Sequence, residues 1–526
     1  MLRFFILGVL FFLGVVTVIA GVIGGPGWWI LVAAVAVLIG VAIYDLVQKK
    51  HSILRNYPVL GHMRFLMEGI RPELQQYFIE RNFDGRPFDR DTRSAIYQRA
   101  KGEKEEQPFG TERDLYAVGY EYLVHSTKPV DVVGNVPRVR IGGPDCTKPY
   151  DMALMNVSAM SFGALSANAI EALNKGAAMG GFAHDTGEGG LSKYHRNNGD
   201  LVWEIGSGYF GCRTKDGDFD AGKFAETASG DQVRMTSLKL SQGAKPGIGG
   251  VLPGAKVTQE IADARGVPKG EKCVSPSYHK VFSTPRELVH FIARMRELSG
   301  GKPTGFKLCL GSRTDLLAIC KAMVSEGVTP DFIVVDGAEG GTGAAPLEYE
   351  DHVGMPLTEA LMTVHNALVG VGLRDRIKLG ASGKVTSGVD VVKRLIQGAD
   401  YTNSARSMMM AVGCIQAQTC HTNTCPVGVT TQDPKRMRAL DVPSKAQRVH
   451  SYQQEAVGQA MQVIASMGLS SFDDLRPHML RRRVGHGSIK SYAEMFHWLE
   501  PGELLDQPSE AWVRDWELAD PDRFRP

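Results

Sequence analysis

The chain has 526 residues, a length that accommodates roughly two to four domains, and its 43% hydrophobic and 22% charged residues are typical of a folded protein. The net charge of +2 leaves no basic surplus to neutralise phosphates, which excludes a dedicated nucleic-acid binder. The eight cysteines show no spacing typical of a secreted disulfide framework, so we expect free thiols in a reducing compartment.

Two almost wholly apolar segments, residues 4–23 and 28–43, begin the chain. The turn signal Gly24-Gly25-Pro26-Gly27 separates them. The first segment is long enough to span a bilayer as a helix, and the second lies near the lower limit of length. The pattern predicts a transmembrane helical hairpin over residues 1–50.

Positive charges flank this hairpin on both sides. Arg3 precedes the first segment, and Lys49-Lys50 follow the second. The positive-inside rule therefore predicts that both ends face the cytoplasm, in a multi-pass protein of the cell (inner) membrane. The alternative is a signal peptide that is cleaved after Val18-Ile19-Ala20.

The remaining residues divide into three parts. Residues 51–130 are polar and interrupted by prolines, which predicts irregular structure and short helices that cover the next domain. In residues 131–435 short apolar runs alternate with helical patterns. We expect this part to be the domain that carries the chemistry. Residues 436–526 form a helical C-terminal extension, whose last, tryptophan-rich stretch the pattern does not assign.

Six short apolar runs in the central part are predicted strands. They are residues 153–157, 238–240, 306–310, 332–335, 377–379 and 401–403. Strands that alternate with helices form either a (β/α)8 barrel or a doubly wound sheet. Glycines cluster after the strands, where barrel loops line the active-site face, and no G-x-G-x-x-G follows a first strand. We therefore predict an α/β fold with a TIM-type (β/α)8 barrel.

Three helix starts are predicted, two of them from capping residues. Thr284-Pro285-Arg286-Glu287 is a capping box with proline in the first turn. Ser387 precedes an apolar helical face that stops at Gly398, and Ser444 is the predicted cap of a helix that runs to Gly468.

The loops after the strands contain an ordered set of motifs. They are Met160-Ser161-Phe162-Gly163-Ala164-Leu165-Ser166, Gly187-Glu188-Gly189-Gly190, Gln242-Gly243-Ala244-Lys245-Pro246-Gly247, Leu252-Pro253-Gly254, Gly340-Gly341-Thr342-Gly343, Leu373-Arg374-Asp375-Arg376 and Cys414 to Thr431. In this order they resemble the FMN domain of the glutamate synthase large subunit over residues 150–432. The resemblance implies FMN and a 3Fe–4S cluster as cofactors.

The flavin site follows from this resemblance and from what a flavin needs. Met160 and Ser161 are expected at the ring, with Gln242 and Lys307 at its pyrimidine edge. Lys307 as a surface lysine is the alternative, although its apolar neighbours favour a buried strand. Gly341 is expected to line the site, and the phosphate is expected at the loops of the last two strands, on Ser382, Gly383, Ser404, Ala405 and Arg406.

Cys414, Cys420 and Cys425 match the family's spacing for a 3Fe–4S cluster. Two alternatives stay open. One is a zinc site with His421 as the fourth ligand, and the other is a set of buried structural cysteines.

The family resemblance also implies a substrate site. Lys245, Arg265 and Ser275 are expected where the carboxylates of 2-oxoglutarate bind, because two cations suit a dicarboxylate. Glu188 is expected to order its loop or to donate a proton, and His279 is the alternative donor.

The sequence departs from the family pattern near this site. Ile248 and Val251 replace two polar residues, and Ala338-Glu339 replace a histidine–aspartate pair. Ser382 stands where the family has aspartate. We therefore expect a conserved flavin site and an altered acid site.

No amidotransferase or NAD(P)H-binding domain is recognisable within the 526 residues. We expect ammonia or an amine from solution, and electrons from a ferredoxin-like protein, a flavoprotein or a membrane carrier. The main hypothesis is a glutamate synthase-like oxidoreductase that reduces the imine of a 2-oxo acid to an amino acid. Alternatives are an N-methylglutamate synthase-like subunit and a non-catalytic electron-transfer subunit, and self-association into a homo-oligomer stays open.

Overall fold

The computed structural model describes residues 2–103, 106–132, 134 and 136–524. The chain divides into two compact units, one ending at Arg90 and the other beginning at Asp91. Each unit is described by itself below.

The first unit begins with two antiparallel apolar helices, α1 (Leu2–Gly24) and α2 (Trp28–Val47). Gly25, with a φ of 95°, lies in the turn between them. By length and composition, Phe4–Gly24 and Trp28–Val47 could each cross a membrane, although a signal sequence has the same character. Their apolar side chains are mostly exposed, as the sequence pattern predicts for a hairpin.

Three further helical segments complete this unit: α3 (Ser52–Asn56), α4 (Gly61–Leu74) and a π-helix (Gln75–Ile79). The carboxylate of Asp45, in the last turn of α2, is fully buried. It accepts hydrogen bonds from the Val59 amide at 2.9 Å and from His62 Nε2 at 2.9 Å. This carboxylate therefore fixes the start of α4 beside the end of α2.

The second unit contains a closed barrel of eight parallel strands. The strands are β1 (Met155–Val157), β2 (His184–Asp185), β3 (Leu201–Ile205), β4 (Val233–Lys239), β5 (Thr304–Leu308), β6 (Phe332–Asp336), β7 (Lys378–Ser382) and β8 (Tyr401–Ser404). They pair in chain order, and β8 closes the barrel on β1 through Thr402 and Met155. The predicted fold class is confirmed.

Helices follow the strands and surround the barrel. They are Ala167–Gly180, Ala221–Ser229, Pro285–Leu298, Arg313–Glu326, Leu357–Gly370, Gly388–Ile396, Arg406–Val412 and Val442–Ser466. Shorter helices, Arg90–Lys101, Gln259–Arg265 and Leu347–His352, lie before the barrel or within its loops. Apolar residues of strands and helices pack into one outer layer between the sheet and the helices.

The sequence pattern did not find β2 and β3. His184–Asp185 is too short and too polar for a periodicity, and Leu201–Ile205 contains Glu204. Tertiary pairing with the neighbouring strands, rather than local apolar pattern, makes these segments β structure.

The predicted cap Thr284 and the predicted helix start at Ser387 are confirmed. Thr284 accepts from the Glu287 amide at 3.1 Å, and Ser387 accepts from the Asp390 amide at 3.2 Å. The third prediction, Ser444, is wrong. The cap is Asp441, whose carboxylate accepts from the Ser444 amide at 3.0 Å, so the helix starts at Val442.

The tryptophan-rich end of the chain packs on the barrel's outer helices. The hairpin Leu480–Gly485 and Ser488–Ser491 pairs with Glu121–Leu123, and short helices follow it. In the last of them, Glu510–Leu518, the Trp516 carbonyl accepts from Lys321 Nζ at 2.6 Å. The predicted helical extension therefore also contains a β-hairpin.

Asp331, fully buried before β6, fixes the amino-terminal end of the barrel. Its carboxylate accepts from the Gly143 amide at 2.7 Å, the Thr304 amide at 2.8 Å and Arg296 Nε at 2.8 Å. One carboxylate thus joins the segment before the barrel to two strands and a helix.

Replacing Asp331 with alanine leaves the buried Arg296 with only the exposed carboxylate of Asp145, at 3.6 Å. We expect Asp331→Ala to lower the free energy of unfolding by about 3–5 kcal/mol. Urea denaturation of the detergent-purified chain measures this loss. The matched control is Arg140→Ala, which removes the exposed pair with Asp151 and should cost under about 1 kcal/mol. Equal losses in the two variants would contradict the assignment.

Candidate active site

The carboxyl ends of the strands, which we call the barrel mouth, carry polar side chains into the interior. Outward-facing residues such as Leu238, Phe306 and Val335 pack in the apolar layer beneath the helices. Because side chains alternate along a strand, the residues between them point inward. Near the mouth these are Asp185, Glu204, Ser237, Lys239, Lys307, Asp336, Ser382 and Asn403. All of them except Asp336 are buried.

Lys307 on β5 and Glu204 on β3 form a buried ion pair at 2.5 Å. Burial would lower the pKa of Lys307, but Glu204, Asp336 and Asp185 outweigh it and raise that pKa. Burial first, and then Glu204, raise the pKa of Asp185 to about 8, against the opposing effect of Lys307. At neutral pH, Lys307 is therefore charged and Asp185 holds a proton.

Glu188, in the loop after β2, pairs with Lys239 at the end of β4 at 2.6 Å. Burial would raise the pKa of Glu188, but Lys239, and then Arg265 and Lys245, outweigh it and lower that pKa. Lys245 is buried and donates to the Gly249 carbonyl at 3.1 Å. Burial, and next the charge of Lys239, lower the pKa of Lys245 to about 8. We call Glu188, Lys239 and Lys245 the acid–lysine cluster.

Arg265 lies beside this cluster, at the end of its short helix. Its Nη2 donates to the Phe162 carbonyl at 3.1 Å and, at 3.4 Å, to Ser161 Oγ. Gly187 has a φ of 63°, and a Cβ there would press on the backbone of Met160 and Ser161. The loops after β1 and β2 are therefore in direct contact, with Met160 and Ser161 between the barrel and the cluster.

The loops after β4 and β6 touch in the same way. The Gly243 amide donates to Asp336 Oδ2 at 2.9 Å, and a Cβ on Gly243 would overlap the Gly337 carbonyl. Gln242 precedes this contact and follows the strand end where Lys239 pairs in register with Lys307. The structure thus brings Gln242 and Lys307 to neighbouring strand ends, as predicted.

The predicted phosphate residues lie at the ends of β7 and β8. Ser382 Oγ is 3.2 Å from Ser158 Oγ, and Ser404 Oγ donates to the Val385 carbonyl at 2.8 Å. These strands are adjacent, so one small region of the mouth contains Ser382, Gly383, Ser404, Ala405 and Arg406.

Arg406 crosses from this region towards the cysteines. Its guanidinium lies against Gly341, where any Cβ would overlap it. Burial lowers the pKa of Arg406, while the charges of Glu350 and Cys420 act in the opposite direction. Gly343 lies beside Cys420 as well, so the glycine loop after β6 borders the cysteines.

The cysteine segment, residues 414–432, is bonded to the loop after β1. Lys256 is buried and donates to the Thr430 carbonyl at 2.6 Å and to the Ala164 carbonyl at 3.1 Å. Gln432 Nε2 donates to the Leu165 carbonyl at 2.8 Å. These bonds place the cysteines at the side of the barrel mouth.

The thiols of Cys414 and Cys425 have shifted pKa values. Burial first, and then the charges of Cys420 and Cys425, raise the pKa of the Cys414 thiol to about 11. For Cys425, hydrogen bonds from the Thr430 side chain and from backbone amides outweigh burial and lower its pKa. Among the described residues, no group of three or more His, Cys, Asp or Glu side chains is arranged to hold a metal ion.

Ser275 and His279 line the far side of the acid–lysine cluster. The Ser275 amide donates to the Gly250 carbonyl at 2.8 Å, next to Val251. His279 Nε2 is 2.8 Å from the Lys239 carbonyl, and burial lowers its pKa to about 4. His279 is therefore neutral and packed, which argues against it as an acid.

The structure also shows the contacts of two residues, Glu339 and Val251, at which the sequence departs from the family pattern. Glu339 Oε2 accepts from the Leu357 amide at 2.9 Å, so this carboxylate stabilises the start of a helix. Val251 pairs with Val274 in a short ribbon that covers the cluster.

Sequence reasoning missed Asp185, Glu204, Lys239 and Asp336. The available signal was a charged residue between apolar neighbours, as in Leu238-Lys239-Leu240. Such a charge inside a strand points into a barrel and requires a partner.

Within the described residues, two polar atoms at the barrel mouth lack hydrogen-bond partners that a bound flavin could supply. Ser237 Oγ and Asn403 Oδ1 are buried, and neither has a hydrogen-bond partner within the part of the chain that the structure describes. Both lie on inward-facing positions, and the adjoining loops are rich in glycine, which admits a planar ring. The residues therefore fit a flavin.

The fold and the site define a class of protein, a closed (β/α)8 barrel with a buried cluster of paired acids and lysines at its mouth. Residues 141–470 match the conserved region in glutamate synthase. The chain is also 36% identical to glutamate synthase large subunit-like protein YerD of Bacillus subtilis (strain 168), over 89% of this chain and 99% of that protein. The chain belongs to the glutamate synthase family.

Other relatives extend beyond the matched region. An archaeal-type glutamate synthase (NADPH) of Thermotoga neapolitana is 34% identical over 61% of this chain and 60% of that protein. The glutamate synthase (NADPH) large chain of Bacillus subtilis is 32% identical over 66% of this chain and 22% of that protein. The chain thus spans about three fifths of the first protein and about a fifth of the second.

Solved structures show weaker likeness. A mutant flavocytochrome b2 with benzoylformate has a TM-score of 0.43 at 12% identity, covering 89% of this chain and 97% of that one. A mandelate oxidase mutant with (S)-mandelic acid has a TM-score of 0.42 at 14% identity, covering 75% and 98%. Neither value supports an inference about function.

The raised pKa of Asp185 makes stability depend on pH. The folded state holds the proton up to about pH 8, whereas an unperturbed aspartic acid loses it near 3.8. Stability from this group is thus fully present in acid and is lost as the pH rises between these values. We expect Asp185→Asn to show a smaller fall in unfolding free energy over this range than the wild type.

Urea denaturation at a series of pH values measures these slopes. The exposed Asp263→Asn is the matched control and should keep the wild-type slope. A wild-type slope in Asp185→Asn would show that Asp185 is ionised in the folded protein.

Proposed function

We propose that the chain is a membrane-anchored, FMN-dependent oxidoreductase of the glutamate synthase type. It reduces the imine formed by a 2-oxo acid, foremost 2-oxoglutarate, and ammonia or an amine, and releases an amino acid. The observation that carries this proposal is the acid–lysine cluster of Glu188, Lys239 and Lys245 beside the Lys307–Glu204 pair. Family membership supports the oxidoreductase class.

The substrate's carboxylates bind at Lys245. This lysine is buried, and among the described contacts its Nζ donates to the Gly249 carbonyl and to no carboxylate, so an anion is favoured there. Arg265 and Ser275 hold the surrounding loops through Phe162 and Gly250. They are proposed to contact the second carboxylate.

FMN is held by the loops after β1, β4, β7 and β8. Met160 and Ser161 would contact the ring, and Gln242 and Lys307 would contact its pyrimidine edge. Gly341 would line the site, and the phosphate residues named above would hold the phosphate. Reduced flavin supplies the hydride for the imine carbon. The positive charge of Lys307 stabilises an anionic flavin, and Glu204 keeps that charge compensated when the site is empty.

The imine nitrogen must gain a proton when its carbon gains a hydride. Lys245, whose pKa burial lowers to about 8, holds a labile proton near neutral pH. Glu188 is ionised and paired with Lys239, which suits an acid that orders its loop better than a proton donor.

Electrons reach the flavin from a separate donor. We propose that Cys414, Cys420 and Cys425 hold a 3Fe–4S cluster, which supplies one-electron transfer beside the mouth. The hydrogen bonds between the cysteine segment and the loop after β1, and the position of Cys420 beside Gly343, support this site. The apolar helices α1 and α2 support anchoring in the membrane, where a carrier could deliver electrons.

A second candidate is reduction with an amine other than ammonia, as in N-methylglutamate synthesis. Ile248 and Val251 flank Gly249 and Gly250, which border Lys245 and Glu188. Apolar side chains at this position favour a nitrogen donor that carries a methyl group.

Stopped-flow mixing of the anaerobically reduced protein tests the activity. We expect the protein to show flavin absorbance and to be reoxidised rapidly by 2-oxoglutarate together with ammonia or methylamine. The compound that gives the faster reoxidation is the nitrogen donor.

Lys245→Met should raise the 2-oxoglutarate concentration for half-maximal reoxidation about 10-fold or more, since a charge-assisted hydrogen bond contributes about 1.5–3 kcal/mol. The exposed Lys269→Met is the control. If flavin is bound but is not reoxidised, the proposed catalysis is contradicted and a non-catalytic electron-transfer subunit becomes the better explanation.

Iron and sulfide analysis tests the cysteines. We expect Cys420→Ala to lose the iron and the iron–sulfur absorbance, because each thiolate is a ligand. Cys320→Ala is the matched control, since this thiol is fully buried in a helix of the apolar layer. Zinc instead of iron, or no metal in the wild type, would contradict the cluster.

A further inference from the structure

The segment after the hairpin presents one continuous apolar face. In α4 and the π-helix the spacing of apolar residues is three or four, which places them on a single side. Each is at least 38% exposed, and they are Met63, Leu66, Met67, Ile70, Leu74, Tyr77 and Phe78. At 1.5 Å per residue this face is roughly 24 Å long.

The opposite side of α4 is polar. Arg64 and Glu68 pair there at 2.9 Å, and both are exposed. Helices that divide in this way lie at the boundary between apolar and aqueous phases, with the apolar side inward. Within the first unit as described, this face is not covered by another element, because its side chains are exposed.

The position of α4 relative to the hairpin selects the apolar phase. The buried Asp45 carboxylate, in the last turn of α2, accepts from the Val59 amide and from His62 in the first turn of α4. The start of α4 therefore lies level with the end of α2. If α2 spans the membrane, that level is the boundary between the acyl chains and the cytoplasmic headgroups.

Charge complements this position. Residues 49–80 contain five lysines and arginines and three acidic residues, and the basic residues Lys49, Lys50 and Arg55 precede α4 with no acidic residue among them. Anionic lipid headgroups attract such a basic segment when it lies close to the surface.

We propose that α4 and the π-helix lie in the cytoplasmic headgroup layer, with the face from Met63 to Phe78 turned towards the acyl chains. The occupant of this face is an anionic lipid surface. The proposal rests on the membrane insertion of α1 and α2 proposed above and adds an in-plane contact to it.

Site-specific photocrosslinking of the full chain tests this arrangement. The photoreactive amino acid p-benzoylphenylalanine replaces Leu66 or Ile70 on the apolar face, Glu68 on the polar face, or Val37 in α2. All four side chains are exposed, so the replacements should not disturb folding. Each variant is placed in nanodiscs of phosphatidylethanolamine and phosphatidylglycerol, irradiated, and analysed by mass spectrometry for lipid adducts.

We expect lipid adducts at Val37, Leu66 and Ile70, with at least about fivefold less at Glu68, which faces water. Replacing phosphatidylglycerol with phosphatidylcholine should reduce the yield at Leu66 and Ile70 but not at Val37, because only the former positions depend on charge.

Two other outcomes separate the two proposals. Lipid adducts at Val37 but protein adducts, or none, at Leu66 and Ile70 would overturn the in-plane contact and leave the hairpin in the membrane. Protein adducts at those positions would identify a second copy or another part of the chain as the occupant. Absence of lipid adducts at Val37 and Leu66 alike would overturn membrane insertion, and the in-plane contact with it.

Discussion

The compensation of buried charge at the barrel mouth is the interaction on which the site depends. Lys307 and Glu204 come from β5 and β3, and Lys239 pairs with Glu188 from the loop after β2. A buried lysine without a carboxylate costs several kcal/mol, so each pair is stable only when the barrel has closed around it. Closure in turn brings these side chains within 2.5–2.6 Å of each other.

This arrangement gives chemically similar groups different protonation states. Glu188 keeps a lowered pKa because Lys239, Arg265 and Lys245 lie near it, whereas Asp185 keeps a proton because it is buried and lies near Glu204. Lys245 has no carboxylate bonded to its Nζ among the described contacts, and burial lowers its pKa. Environment, and not residue type, therefore decides which group can release a proton near neutral pH.

Contacts between loops connect this charged interior to the cysteines. The loop after β1 touches Gly187 on one side and is bonded by Lys256 and Gln432 to the cysteine segment on the other. Arg406 lies between the glycine loop after β6 and Cys420. The elements proposed for flavin, substrate and cluster thus share one set of loops, so a change in any of them acts on the others.

The sequence by itself determined the helical hairpin pattern, the barrel class, the capped helices and the family motifs, because each depends on local periodicity or on short ordered motifs. It placed the cap Thr284 and the helix that starts after Ser387 correctly. Only the tertiary structure decided that His184–Asp185 is a strand and that Glu204 neutralises Lys307. The strand depends on pairing with Val157 and Leu201 on its two neighbours, and Lys307 lies 103 residues after Glu204, so no local pattern contains either outcome.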